Sequence, residues 1–175
     1  MKFLKNYPLI ITLSFLLLGC DFESSSISTN EKNNSLKITP VENTSLAQNL
    51  PIGAKLLVNN EVIELEIAQT PQQQSIGLMY RDSLSPNHGM LFPFNPPQTV
   101  SFWMKNVSIP LDMIFISEGI VKHIANASPC KSEACPLYNS NVPIDQVIEL
   151  AENRAKELNI KIGDHINIKM LDVKK

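Results

Sequence analysis

At 175 residues, with 43% hydrophobic and 18% charged side chains, the chain has an ordinary globular composition and room for one domain rather than two. Its 15 Lys and Arg stand against 17 Asp and Glu, a formal charge of −2, and this excludes the concentrated basic surface that nucleic acid or anionic lipid would require. Removing Lys2 and Lys5 with the N-terminal segment leaves 13 basic residues against the same 17 acidic ones, a charge of −4.

That N-terminal segment comes first in chain order. Lys2 and Lys5 precede an apolar run over residues 8–18 that ends in Leu17-Leu18-Gly19-Cys20. The pattern is that of a secretory signal over residues 1–19. It is too short to cross a hydrocarbon core of about 30 Å, which takes roughly 20 helical residues. Leu-Leu-Gly-Cys resembles the lipobox of bacterial lipoproteins, a resemblance that implies Cys20 as the lipid-modified first residue of the mature chain, with acyl chains as the membrane anchor. The alternative is a buried or free Cys20 after an uncleaved signal. Asp21 resembles the inner-membrane retention signal of enteric bacteria, so the expected location is extracytoplasmic, lipid-anchored, with the inner membrane favoured.

Residues 20–52 read as the lipidated Cys and a disordered tether. Ser, Asn, Thr, Glu and Gln dominate, and Ile27, Leu36, Ile38 and Leu46 follow no period. Some 30 flexible residues span on the order of 30 Å, enough to lift a domain off the head groups. A first strand over residues 36–41 is the alternative.

The folded domain is expected over residues 53–173. Residues 55–58 and 61–67 read as a hairpin about Asn59-Asn60. In its second strand Ile63, Leu65 and Ile67 alternate with Glu64 and Glu66, one face buried and the acidic face wet. Thr70-Pro71-Gln72-Gln73 carries an N-cap, a Pro at the first helical position and a capping-box Gln, predicting a helix to about Met79. Gly77 falls inside that helix and suggests close approach of another backbone. Met90-Leu91-Phe92 is a short buried strand, and Asn95-Pro96-Pro97 breaks the chain.

Further strands are expected over residues 113–116 and 120–124, joined at Glu118-Gly119, and over residues 146–150. A short helix over 152–158 closes at Asn159 in the left-handed conformation. An alternating hairpin about Gly163-Asp164 ends the domain. The expected class is α+β, mainly β: a curled antiparallel sheet or small barrel with two short helices.

With Cys20 assigned to lipid, Cys130 and Cys135 remain as an even pair in an exported chain, pointing to a disulfide. Free thiols, or half of a zinc site, are the alternatives, but no Cys or His pair stands nearby to complete a tetrahedron. No resident metal or other cofactor is expected.

The stretch Thr-Val-Ser-Phe-Trp-Met-Lys-Asn-Val over residues 99–107 holds the sole Trp. If it is extended, Val100, Phe102 and Met104 share one face while Ser101, Trp103 and Lys105 share the other. The first set reads as core. Trp103, Lys105, Asn106 and Asp112 are the candidate ligand-binding residues: a flat apolar wall, a cation, an amide and a carboxylate. The rival is that Trp103 covers an open end of the barrel with its indole and donates one hydrogen bond.

Gly77-Leu78-Met79-Tyr80-Arg81, Gly89-Met90-Leu91-Phe92-Pro93-Phe94, Phe102-Trp103-Met104-Lys105-Asn106 and Ile109-Pro110-Leu111-Asp112-Met113-Ile114-Phe115-Ile116 closely resemble successive motifs of the DUF 192 family, also catalogued as UPF 0127. Pro129-Cys130, Cys135-Pro136 and Gly163-Asp164 fall where that family has them. Val107 departs from the family's Thr and removes a hydroxyl beside Lys105-Asn106. The resemblance implies a fold and an exported or membrane-associated setting, and brings no catalytic residues.

Three function classes follow. The first is a non-catalytic envelope module binding a small ligand or a protein partner. The second is a hydrolase using Asp112 with Lys105 or His123, although neither a Ser-His-Asp pattern nor a nucleophile elbow is present. The third is a copper-handling protein, suggested by six Met and three His in an exported chain.

Overall fold

Asn59 and Asn60 take left-handed backbone angles, φ 47° and 67°, as a two-residue turn between twisted strands requires. β1 (Ile52–Val58) thereby folds back on β2 (Glu61–Ile67) as an antiparallel pair. The computed structural model describes these and the other residues from 46 to 172. The signal segment, Cys20, Asp21 and the tether as far as residue 45 lie outside the described residues.

α1 (Pro71–Ile76) starts at the expected capping box. Gln73 N donates to Thr70 Oγ1 at 3.2 Å and Thr70 N donates to Gln73 Oε1 at 3.0 Å. The helix is shorter than the sequence implies, because Gly77 ends it with φ 49° and donates its N–H to Gln73 O. Gly77 is therefore a cap, and what a Cβ there would meet at 3.4 Å is the Phe92 ring, not another backbone.

The chain continues through β3 (His88–Gln98), β4 (Ser101–Trp103), β5 (Leu111–Ser117), β6 (Ile120–Ala127), β7 (Leu137–Asn139), β8 (Ile144–Ala151), α2 (Arg154–Glu157) and β9 (Asn167–Met170). Seven strands form one sheet in the order β6-β5-β8-β3-β2-β1-β9, while β4 and β7 pair separately. Only β2 and β3 run parallel in the large sheet. Asn95-Pro96-Pro97 does not end β3 but interrupts its register on β8, which jumps from Pro93 to Gln98.

This is the expected α+β, mainly β, class, and of the two alternatives it is the curled sheet that forms, not a closed barrel. The reason lies at Gly163-Asp164. Lys161 N donates to Asp164 Oδ2 at 2.8 Å and Asp164 N to Lys161 O at 3.1 Å, making a tight turn rather than a strand pair. The chain beyond it then bonds to the start of β6: Val121 N to Asp164 O, Gly163 N to Val121 O, and Ile166 N to Gly119 O. Contact across the seam stops at one bridge, Ile120 with His165, and β9 turns away to pair with β1.

Both faces of the sheet are covered. On the first, Leu56, Ile63, Leu65, Leu91, Ile114, Ile148 and Leu150 pack with Leu158 and Ile160 beside α2. On the second, Met90, Phe92, Met113, Phe115 and Val147 pack under Leu78, Met104 and Val107. Double coverage explains the near-continuous apolar runs of the central strands β3, β5 and β8, and each fully buried large side chain contributes about 2 kcal/mol. β3 and β8 approach so closely at Gly89 that a Cβ there would lie 2.7 Å from Glu149 O.

Cys130 and Cys135 form a disulfide between β6 and β7, with Cα atoms 5.5 Å apart. A loop this short gains about 2 kcal/mol from closure.

Candidate functional site

The motifs over residues 77–81 and 102–106 are fastened to each other. Tyr80 and Asn106 both adopt positive φ, 63° and 59°. Tyr80 N donates to Asn106 O at 2.8 Å, and the Asn106 amide donates to Tyr80 Oη at 2.8 Å. Ser108 Oγ adds a bond to Arg81 O at 2.8 Å. The loop after α1 and the loop after β4 are thus held as one unit above the second core.

Alternation along β4 is as the sequence implies. Met104 is fully buried, and the Phe102 ring meets Phe92, Phe94 and Phe115 edge to face at centroid distances of 5.1, 6.4 and 6.0 Å. Trp103 points the other way and is 45% exposed, opposite the exposed Leu137 of β7. Lys105 Nζ lies 5.4 Å from the indole centroid, a cation–π contact worth about 0.5–1 kcal/mol at an exposed position. Trp103, Lys105 and Asn106 therefore gather on one side of the molecule.

Asp112 does not join them. It precedes Met113, which faces the second core, so strand alternation turns it to the first face. There it is fully buried, its Oδ1 accepting from Asn126 Nδ2 at 2.6 Å and its Oδ2 from Ala155 N at 2.8 Å. The second bond serves α2, whose N-cap Asn153 makes no side-chain capping bond; Asp112 caps that helix from a strand. His123 stacks on Phe115 at 5.6 Å, and no hydrogen bond links it with Lys105 or Asp112.

The methionines Met90, Met104 and Met113 are fully buried in the apolar core, their commoner role. Among the described residues no three His, Cys, Asp or Glu side chains gather closely enough to hold one ion.

The acidic face of β2 is not wet throughout. Glu66 is only 6% exposed. Arg81 reaches it with two bonds of 2.7 Å, and Leu50 N donates to it at 2.7 Å. Arg81 Nη2 also bonds Gln48 O. A bidentate Arg–carboxylate pair with this burial is costly to break from one side, about 3–5 kcal/mol.

Sheet register then reveals a residue that sequence reasoning missed. Glu66, Met90, Glu149 and Met113 lie side by side across β2, β3, β8 and β5. Glu149 sits in the centre of the sheet at 5% exposure. Burial pushes its carboxyl up to about 8, against the opposing pull of the Arg81 charge. The available signal was a single acid inside the run Val147-Ile148-Glu149-Leu150, where alternation places Ile148 and Leu150 on the first core and leaves Glu149 facing the other.

Glu149 lines a niche of about 30 Å³ with Phe92, Phe102, Trp103 and Val107 under the end of α1. Beside it opens a cleft of about 380 Å³ walled by Phe94, Phe102 and Trp103, with Gln74, Ser75 and Gln98 supplying polar groups. The two share Gln74, Ser75, Phe102 and Trp103. A mostly apolar concavity with a few converging polar groups is the usual form of a small-molecule site.

Curled sheet, stapled loops and an aromatic cleft describe a β-rich domain with a concavity beside α1 and β4, and the sequence places it among relatives. Residues 54–168 match DUF192, described as Uncharacterized ACR, COG1430, and the chain belongs to that family. Among curated proteins none matches. A crystal structure of a proposed transcription regulator from Sinorhizobium meliloti 1021 is 38% identical, covers 65% of this chain and 90% of its own, and superposes with a TM-score of 0.58. A protein of unknown function from Novosphingobium aromaticivorans DSM 12444 is 34% identical, covers 66% of this chain and 83% of its own, with a TM-score of 0.59.

Proposed function

We propose that this member of the DUF192 family is a non-catalytic binding module held outside the cytoplasm by lipid on Cys20, and that its cleft between α1 and β4 takes a small aromatic ligand. The observation that carries the reading is Trp103, a large aromatic side chain left 45% exposed as the wall of an open cleft of about 380 Å³. Aromatic walls give a flat ligand large contact area, while Gln74, Ser75 and Gln98 offer neutral hydrogen bonds at its edge. Lys105 lies at Trp103 and Asn106 holds the loop that carries them; Asp112 has no part in the site. Transcription regulation, the role proposed for the Sinorhizobium relative, would call for a basic surface if it ran through direct contact with DNA, and a chain of net charge −2 gives that no support.

Trp103 is the sole Trp, so its emission reports on the cleft. Titrating the domain with small aromatic compounds should change that emission saturably, and calorimetry on Trp103→Ala should show the heat lost; identical heats in variant and wild type would overturn the reading. For the anchor, labelled palmitate should enter the wild-type chain and fail to enter Cys20→Ala, which should leave the membrane fraction. Equal labelling of both would remove Cys20 as the lipid site.

A further inference from the structure

The centre of the second face carries a carboxyl that nothing in the fold uses. Glu149 is 5% exposed, and among the described residues no hydrogen bond engages its carboxyl. The groups packed around it do not supply one. β3 and β5 present Met90 and Met113 beside it in register. From β2, Glu66 is taken up by Arg81. Arg81, the cation that Glu149 senses, spends Nη1 and Nη2 on Glu66 and Gln48 O, and its buried Nε has no partner. α1 contributes no charged residue, Tyr80 Oη is engaged by Asn106, and Lys105 Nζ lies over the Trp103 ring.

Such a carboxyl is a donor in waiting. Buried polar groups are hydrogen-bonded in nearly all structures, and each exception calls for a partner. With burial holding it protonated at neutral pH, Glu149 offers one O–H into a niche lined by Phe92, Phe102, Trp103 and Val107. At about 30 Å³ the niche admits one water, or one oxygen-bearing group of a ligand whose bulk lies outside. The adjoining cleft of about 380 Å³ is large enough for an aromatic ring.

We propose that the niche is the polar subsite of the cleft, where Glu149 donates its carboxyl O–H to the uncharged carbonyl or amide oxygen of a small aromatic ligand lying against Phe102 and Trp103. The proposal rests on the cleft being a ligand site and adds which ligand chemistry it selects. A cation fits worse: Arg81 already faces the carboxyl, and an ammonium group would first have to displace the proton. Such a ligand would bind better as the pH rises, an uncharged acceptor worse.

The test compares benzamide, ethylbenzene and benzylamine on the folded domain, by calorimetry and Trp103 emission, in wild type, Glu149→Gln and Glu149→Leu. Expected at pH 6 is a preference of wild type for benzamide over ethylbenzene of at least about tenfold, since a site built to donate rejects an analogue lacking the acceptor. Glu149→Gln, whose amide also donates, should keep that preference. Glu149→Leu should erase it while ethylbenzene still binds. Above pH 8 the wild-type affinity for benzamide should fall about tenfold per unit as the donor ionises, and the Gln variant should stay flat.

Equal affinity of wild type for benzamide and ethylbenzene would overturn the subsite and leave the cleft standing. Binding of neither compound would overturn both. A benzylamine affinity that rises above pH 8 and vanishes in Glu149→Gln would replace the proposal with a cation site.

Discussion

Two carboxylates on opposite faces of one sheet show how differently the same fold treats a buried acid. Asp112 on the first face has both oxygens bonded, one to the Asn126 amide and one to the backbone of α2. Glu149 on the second face is buried to 5% exposure and has no hydrogen-bond partner among the described residues, in a niche under Phe92, Phe102 and Trp103. The first is fully used by the fold; the second is not. Residues that a fold has satisfied are parts of its architecture, and a buried group left unsatisfied next to an open cleft points to function.

The comparison can be broken most forcefully at Arg81. Arg81→Leu leaves Glu66 buried without its counter-charge and should cost about 4 kcal/mol, read as a fall in the urea midpoint; a loss below about 1 kcal/mol would show that Glu66 escapes to water. On the first face, Asp112→Ala strands the Ala155 N–H and the Asn126 amide and should cost about 3 kcal/mol. Hydrogen exchange should then speed up in α2 ahead of the sheet. A variant as stable as wild type would remove the capping role.

Smaller effects sharpen the difference. Cys130→Ser with Cys135→Ser should lower stability by about 2 kcal/mol, by returning loop-closure entropy to the unfolded chain. The carboxyls themselves should separate by pH. The folded protein holds Glu149 protonated up to about pH 8, while the unfolded chain releases that proton near 4.5. Between those values the folded state binds more protons at this group, so the contribution of Glu149 to stability is fully present below about pH 4.5 and is lost progressively as the pH rises to about 8. Thermal melts of Glu149→Gln should lack that slope. Trp103→Ala, at an exposed position, should change stability by no more than about 0.5 kcal/mol, which keeps its effect on binding readable.

The Glu118-Gly119 turn and the left-handed Asn159 at the end of α2 were legible locally for the same reason as the first hairpin and the capping box: each rests on φ preference or on hydrogen bonds within a few residues. Glu66 was misplaced because alternation assigns a residue to a face without saying whether that face is wet, and here Arg81 and the chain from Gln48 to Leu50 cover it. The Gly163-Asp164 turn was recognised, but not what its flanking chain would bond to. Val107, which departs from the family's Thr, is buried in the second core and lines the niche, so the missing hydroxyl leaves an apolar wall there.

By itself the sequence determined the α+β class, the principal turns and the split of residues 100–105 into a core face and an exposed face, because propensity and period-two alternation act over short spans of chain. Which candidates share a site was decided only by tertiary structure. Strand order and register put Asp112 on one side of the sheet with α2 and set Trp103, Lys105 and Asn106 on the other. They also brought Glu149, from β8, beneath aromatic side chains of β3 and β4, and a meeting of residues so far apart in the chain leaves no trace in local pattern.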